Sequence, residues 1–133
     1  MDKKIQIQAV MTPFPHSVGL KQSIKVARQL MREHGIRHLP VQDGGQLVGV
    51  ITDRDVNFAI AFDHVDPEAM LVCEAFTSEP YIVDLVTPVY QVVRRMADDH
   101  LGCALVTQKG KLIGIFTAVD ACRTLAEFLL SDD

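Results

Sequence analysis

Aromatic residues are scarce in this chain: its 133 residues include no tryptophan, and the aromatic share is only 6%. Proteins that bind single-stranded nucleic acid stack bases on aromatic side chains, so this scarcity counts against that class. A basic excess is missing too, since the formal net charge is −4 at pH 7. Attraction to a phosphate backbone needs clustered positive charge. We therefore predict that nucleic acid is not a partner.

Long apolar segments are also missing. Charged residues interrupt every apolar run well before the ~20 residues that a transmembrane helix needs. The first residues, Met1-Asp2-Lys3-Lys4-Ile5-Gln6, contain no apolar stretch of the kind found in secretory signal peptides. We therefore predict no membrane partner and a cytoplasmic location.

Cysteine is limited to Cys73, Cys103 and Cys122, which have no paired spacing and lie in apolar settings. We expect buried, reduced thiols, as is usual in the cytosol. Four histidines share no metal-ligand spacing with them; these are His16, His34, His64 and His100. A P-loop and the common nucleophilic arrangements are absent as well. We therefore predict no metal, no catalytic residue and no enzyme activity.

The most informative feature that is present is an internal duplication. The stretch Gly49-Val50-Ile51-Thr52-Asp53-Arg54-Asp55 returns in similar form 65 residues later as Gly114-Ile115-Phe116-Thr117-Ala118-Val119-Asp120. The same offset pairs identical residues over most of each half; these pairs are Thr12/Thr77, Pro15/Pro80, Val18/Val83, Met31/Met96, Val41/Val106 and Gly45/Gly110. A gapless register of this length indicates two copies of one structural unit.

Each copy is predicted to fold as β-α-β-β-α, which makes the chain α+β. In the first copy we predict a lead-in strand or helical turn over 5–10, extended chain over 11–15, a strand over 16–18, a helix over 22–34 ended by Gly35, hairpin strands over 36–42 and 46–51, and a helix over 52–62. In the second copy we predict a strand ending at Val83, a helix with Thr87 as N-cap and Pro88 as first residue, hairpin strands over 103–107 and 111–116, and a helix over 117–130 with Val119, Cys122, Leu125, Ala126 and Leu129 on one side.

The duplicated stretch places a threonine at the end of a strand and an aspartate in the first turn of the next helix. One interpretation is that Thr52 and Asp55 cap free backbone N–H groups of the helix. The other is that the junction holds a polar ligand, with N–H groups and threonine near a phosphate and aspartate near a diol. The second copy, Thr117 and Asp120, allows both interpretations as well.

The two Gly-x-x-Thr-x-x-Asp signatures, with Ile36-Arg37-His38-Leu39-Pro40-Val41 before the first, resemble a tandem pair of cystathionine-β-synthase (CBS) domains. Such a pair is called a Bateman module, and the resemblance is to the stand-alone bacterial or archaeal type. It implies one module over 1–133, with repeat 1 over 10–62, a link over 63–74 and repeat 2 over 75–130. It further implies that the repeats pack through their sheets with pseudo-two-fold symmetry.

The resemblance also implies a ligand: an adenine nucleotide (AMP, ADP or ATP), or NAD or S-adenosylmethionine, with Mg²⁺ possible beside ATP. Asp55 and Asp120 would accept hydrogen bonds from ribose hydroxyls, and Thr52 and Thr117 would donate to a phosphate or sugar oxygen. Pro40 is a further candidate. The adenine would be enclosed by Val10, Met11, Thr12 and Val18 in one half, and by Ala75, Phe76, Thr77 and Val83 in the other.

Positive side chains cluster around the first signature only. They are Arg37, His38 and Arg54, whose equivalents are Gly102, Cys103 and Val119. We therefore predict that the cleft with Asp55 is the better phosphate site, with Arg123 compensating in part near Asp120. His38 could instead serve the Asp120 site. The alternatives are that both arginines are solvated surface charges and that His38 makes only a local hydrogen bond.

The function implied is a regulatory sensor that changes the geometry of a dimer or of a partner when a nucleotide binds. A homodimer is expected through apolar helix faces; the candidate residues are Ala59, Ile60, Phe62, Leu125, Phe128 and Leu129. The regulated protein is unknown. The alternative function is a ligand-free module for dimerisation or protein interaction.

Overall fold

The computed structural model describes residues 4–63 and 66–131. In chain order it contains a 3₁₀ turn (Ile7–Ala9), β1 (Thr12–Pro13), β2 (Val18–Gly19), α1 (Ile24–His34), β3 (His38–Asp43), β4 (Gln46–Thr52), α2 (Asp53–Asp63), a second 3₁₀ turn (Val72–Glu74), β5 (Ile82–Asp84), α3 (Val89–Asp98), β6 (Cys103–Gln108), β7 (Lys111–Thr117) and α4 (Ala118–Ser131). The predicted α+β class and the two β-α-β-β-α repeats are confirmed.

The chain divides into two compact units. His16–Pro80 form the first unit, and the chain up to Pro15 joins the chain from Tyr81 onward in the second unit. Part of the sequence between the repeats thus belongs to the first unit. Val72 is fully buried there, and its N–H donates to the Gln22 carbonyl at 2.8 Å.

In the first unit, β2 pairs parallel with β3, and β3 pairs antiparallel with β4. Helix α1 begins after Ser23, whose hydroxyl accepts a hydrogen bond from the Val26 N–H, and ends at Gly35 with a left-handed φ of 63°. The turn between β3 and β4 is made by Gly44 and Gly45, both with positive φ, as a tight hairpin requires. This hairpin delivers Thr52 to the start of α2.

In the second unit, the sheet order is β1-β7-β6-β5. Strand β1, from the lead-in, pairs antiparallel with β7, with Thr12 opposite Ile115. The equivalent contact in the first unit is a bridge between Val50 and Thr77. Each unit therefore takes this outer segment from the stretch that precedes the other copy of the repeat.

Several predicted boundaries shift. The strand predicted over 16–18 lies at Val18–Gly19, and the extended segment 11–15 is interrupted at Phe14, whose φ is +47° and whose N–H donates to the Ile113 carbonyl. The prediction of Thr87 as N-cap is wrong. Pro88 is the N-cap, because its ψ of 139° is extended rather than helical, and the Val89 N–H donates to the Ile5 carbonyl.

Each unit has its own cluster of buried apolar residues. Leu39, Ile51 and Val56 are central in the first, and Ile7, Val92 and Phe116 in the second. Ala59 is only 5% exposed in the first cluster, so its assignment to an exposed dimer face is wrong. Along α4, by contrast, the predicted apolar side includes Val119, Leu125 and Leu129, which are all more than half exposed.

None of the helices in the described part of the chain combines the length and the apolar character needed to cross a bilayer.

Candidate functional site

Both signature junctions form reciprocal caps. In the first unit, the Thr52 N–H donates to Asp55 Oδ2 and the Asp55 N–H donates to Thr52 Oγ1, each at 3.0 Å. In the second unit, the Thr117 N–H donates to Asp120 Oδ2 at 2.9 Å and the Asp120 N–H donates to Thr117 Oγ1 at 3.3 Å. Each aspartate thus fixes its helix start through Oδ2, as a capping residue does. The two sites differ in the contacts of the other carboxylate oxygen, Oδ1.

Asp120 is held by further contacts that Asp55 lacks. Its Oδ1 accepts hydrogen bonds from Thr12 Oγ1 and from Arg123 Nη1, both at 3.1 Å. The Asp120 side chain is only 7% exposed, whereas that of Arg123 is 60% exposed. Among the described residues, no hydrogen bond reaches Oδ1 of Asp55. A buried carboxylate with both oxygens engaged is a rigid, pre-oriented acceptor.

A concavity of about 310 Å³ opens beside Asp120 in the second unit. One wall is the segment Ala9-Val10-Met11-Thr12-Pro13. The other is the face of α4 that carries Asp120, Arg123, Thr124 and Glu127. This volume is at the lower end of the range for small-molecule sites. The site combines a largely apolar wall with a buried carboxylate, and its one arginine, Arg123, is paired with that carboxylate while Glu127 adds a second negative charge. This lining suits a ligand with an apolar ring and hydroxyl groups.

The structure regroups the residues predicted to enclose the adenine. Sequence order placed Val10, Met11 and Thr12 with the half that contains Asp55, and this grouping is wrong. They lie beside Asp120, because β1 pairs with β7. Thr77, from the other predicted group, lies beside β4, where its N–H donates to the Val50 carbonyl at 2.8 Å.

Other predicted site residues lie inside the units. Val18 and Val83 are buried in the two cores at 2% and 8% exposure, and Pro40 is buried in β3. Neither valine lines the concavity beside Asp120. Ala75 and Phe76 pack partly buried against the first core. These positions support the strands that carry the signatures.

The positive cluster predicted around Asp55 is only partly assembled. Arg37 faces Asp53, with Nε 3.9 Å from Oδ2, and its side chain is 81% exposed. Arg54 is exposed as well. His38 is half-buried opposite Thr52, and burial lowers its pKa, although the nearby Asp53 carboxylate opposes that shift. His38 is therefore mostly neutral at pH 7 and is a hydrogen-bonding group rather than a charge.

The described residues contain no group of three or more His, Cys, Asp or Glu side chains placed to hold a metal ion. The prediction of three buried thiols is wrong for two of them, since Cys73 and Cys122 are exposed. Cys103 is partly buried, and this burial raises the pKa of its thiol to about 12. The difference follows from position, because Cys103 is in β6 whereas Cys122 is on the outer side of α4.

Sequence reasoning missed part of the concavity, namely Ala9, Pro13, Thr124 and Glu127. A signal for the last two was present, because they follow Asp120 at i+4 and i+7 and so share its helix face. No comparable signal marked Ala9 and Pro13, which flank the predicted residues Val10, Met11 and Thr12.

The comparison with known proteins agrees with this architecture. The family model of the CBS domain matches residues 7–61 and 72–127. The chain belongs to the CBS domain family. A curated relative of this CBS pair is inosine-5′-monophosphate dehydrogenase of Korarchaeum cryptofilum, 38% identical over 107 residues, which are 78% of this chain. The chain spans only 21% of that relative's length.

Two solved CBS structures carry adenosine-containing ligands. CBSX2 in complex with AMP is 27% identical, with a TM-score of 0.80, and the match covers 92% of this chain and 97% of that one. The CBS domain pair of protein MJ0100, in complex with 5′-methylthioadenosine and S-adenosyl-L-methionine, is 25% identical, with a TM-score of 0.82 and coverage of 91% and 99%.

Proposed function

We propose that this CBS pair is a sensor of adenosine-containing ligands that regulates a partner protein. The observation that carries the proposal is the concavity beside Asp120, where a buried, pre-oriented carboxylate meets an apolar wall and an arginine in a space of about 310 Å³. The AMP and S-adenosylmethionine complexes of the related CBS proteins support the ligand class.

The contacts of Asp120 suggest how a nucleoside would bind. A ribose hydroxyl would donate to Asp120 Oδ1 and displace the Thr12 hydroxyl, which now donates there. Such a hydrogen bond to a carboxylate is charge-assisted. The adenine would lie against Val10 and Met11, and Arg123, which is 60% exposed, would reach a phosphate. The predicted role of Thr117 remains that of a donor at the start of the helix.

A second site is proposed at Asp55, whose Oδ1 is available. The prediction that this is the better phosphate site depends on Arg37, His38 and Arg54. Because His38 is mostly neutral at pH 7 and Arg37 faces Asp53, Arg54 would supply the charge. A comparison of AMP with adenosine in Asp55→Asn and Asp120→Asn variants tests the order of the two sites.

We further propose that the protein acts as a cytoplasmic homodimer without catalytic activity. Support comes from large apolar side chains left in contact with solvent on two helices, namely Phe62 on α2 and Leu125 and Leu129 on α4, which are 70%, 53% and 62% exposed. Binding at the concavity would move the lead-in segment against α4 and so alter this surface. Incubation with ATP should release no product.

Isothermal titration with AMP, ADP, ATP (with and without Mg²⁺), NAD and S-adenosylmethionine tests the proposal. At least one ligand should bind the wild type, and Asp120→Asn should weaken it at least tenfold, about 1.4 kcal/mol. Asp98→Asn removes an exposed carboxylate from α3 and should change nothing. An absence of binding, or equal binding by Asp120→Asn, would contradict the proposal.

One observation favours the alternative, a ligand-free interaction module. The carboxylates of Asp55 and Asp120 both serve as helix caps, and this structural role by itself accounts for a threonine and an aspartate at each junction. In that case the titrations would show no heat of binding, and the association state measured by sedimentation would not change when nucleotides are added.

A further inference from the structure

A second concavity lies in the first unit, between α1 and the first turns of α2. It is lined by Arg28, Met31 and Arg32 of α1, by Ile36 and Arg37 before β3, and by Asp53, Val56 and Asn57 of α2. Its volume is about 220 Å³. Its floor is formed by the apolar side chains of Met31 and Val56, which are buried at 4% and 1% exposure. We call it the arginine groove.

The arginine groove carries a local positive charge on an acidic protein. Its three arginines and Asp53 give a formal charge of +3 − 1 = +2, while the whole chain has −4. Arg28 and Arg32 form no ion pair with any described carboxylate, and Arg37 reaches only Asp53, at 3.9 Å. Arg28 and Arg32 are four residues apart on one helix face, where like charges disfavour each other. An anion between them would remove that penalty.

The second repeat shows that the fold does not need these charges. At the offset of 65, the floor is kept, since Met31 corresponds to Met96, Ile36 to Leu101 and Val56 to Ala121. The rim is not kept. Arg28, Arg32, Arg37, Asp53 and Asn57 correspond to Val93, Ala97, Gly102, Ala118 and Cys122. The same β-α-β-β-α unit therefore forms with no charge at these places, and a purely structural role does not explain the arginines.

We propose that the arginine groove binds a small, multiply charged oxyanion of the phosphate or pyrophosphate class, independently of the nucleotide site in the second unit. Guanidinium groups match such oxygens in geometry and charge. The volume is below the 300–1,000 Å³ typical of larger ligands, so the groove suits a free oxyanion rather than a whole nucleotide. The inference goes beyond the proposed nucleotide sensing and does not depend on it.

The experiment is isothermal titration of the full chain with sodium pyrophosphate and with inorganic phosphate at low ionic strength. The key variant is Arg28→Val with Arg32→Ala, which installs the residues of the second repeat and should weaken pyrophosphate binding at least tenfold. Arg94→Gln is the matched control. It removes an exposed arginine from α3, at the position equivalent to Gln29, and should leave binding unchanged. Asp53→Asn should tighten binding several-fold, because it removes the carboxylate that competes for Arg37.

The phosphate of a bound nucleotide is another source of the same chemistry, and AMP titrations separate the two. Under the proposal, the double arginine variant keeps its AMP affinity and Asp120→Asn keeps its pyrophosphate affinity. The proposal is overturned if the wild type binds neither oxyanion at millimolar concentration, if the double variant binds as the wild type does, or if the double variant loses AMP instead. Circular dichroism of each variant establishes that it is folded.

Discussion

The two signature glycines give a prediction with a control built into the chain. A Cβ added at Gly49 would lie 2.3 Å from the Thr77 carbonyl oxygen and 2.5 Å from the Phe76 ring. The Thr77 carbonyl cannot retreat easily, because it accepts the Val50 N–H at 3.0 Å while the Thr77 N–H donates back at 2.8 Å. Gly49→Ala must therefore displace the Thr77 backbone, the Phe76 ring or both.

The size of the effect follows from these contacts. Overpacking costs about 1–3 kcal/mol, and weakening the two backbone hydrogen bonds adds about 0.5–1.5 kcal/mol each. Replacing the glycine lowers the conformational entropy of the unfolded chain, and this offsets about 0.4–1 kcal/mol of the loss in stability. We expect Gly49→Ala to lower the free energy of unfolding by about 2–4 kcal/mol.

Gly114→Ala, the same change in the other repeat, should cost less. There the added Cβ meets Met11 Sδ at 2.3 Å, and an unbranched thioether can rotate away. We expect a loss of about 1 kcal/mol or less. Because Met11 also lines the concavity beside Asp120, this variant should instead change nucleotide affinity.

Urea denaturation measures both variants. Circular dichroism follows the whole chain, while the fluorescence of Tyr81 and Tyr90, the two tyrosines, reports on the second unit alone. Gly49→Ala should lower the midpoint seen by circular dichroism far more than Gly114→Ala does. Equal losses in the two variants would refute the reasoning, since they would mean that the neighbouring atoms do not set the cost.

Three further predictions concern single side chains. The pKa of His38 is lowered in the folded state, so the unfolded state binds more protons below about pH 7. The free energy of unfolding should therefore fall on acidification through about pH 6.5, and it should fall less in His38→Gln. Equal pH dependence in the two proteins would contradict this. A thiol reagent at pH 8 should modify the two exposed cysteines quickly and Cys103 slowly, because burial raises the pKa of its thiol to about 12; three equal rates would count against the fold around β6. Asp120→Ala should lower the free energy of unfolding by about 3 kcal/mol, and Asp55→Ala by about 1 kcal/mol. The difference is expected because Asp120 is buried and accepts additional hydrogen bonds from Thr12 and Arg123. Urea midpoints that fall equally in the two variants would show that those hydrogen bonds contribute nothing.

Much of the fold could be predicted because its signals are local. The helical spacing before Gly35, the glycine turn at Gly44 and Gly45, and the repeat at 65 residues each concern neighbours in sequence, and the structure has them. The pairing of Thr12 with Ile115 joins residues more than 100 positions apart. Because both copies offer an equivalent partner strand, sequence alone could not decide which lead-in segment joins which unit.

The candidate site was predictable to a similar degree. The threonine and aspartate of each signature were found because capping and ligand binding both need them at the start of a helix. Arg37 was misplaced for a geometric reason. It was grouped with Asp55 by nearness in sequence, but it faces Asp53, toward α1. A shift of two residues at the start of a helix moves a side chain to another face.

Comparison of the two repeats position by position indicates how one duplicated unit could carry the two proposed kinds of site. The polar wall beside Asp120 consists of Arg123, Thr124 and Glu127, and the equivalent residues on α2 are Phe58, Ala59 and Phe62. The two phenylalanines stack on each other and are 61% and 70% exposed. Helix α2 thus presents apolar surface where α4 presents the polar side chains beside Asp120, while the charged rim of the arginine groove has uncharged equivalents in the second repeat. Since both units keep the same β-α-β-β-α order and the same capped helix start, the fold tolerates either set, and the two proposed binding roles account for the difference.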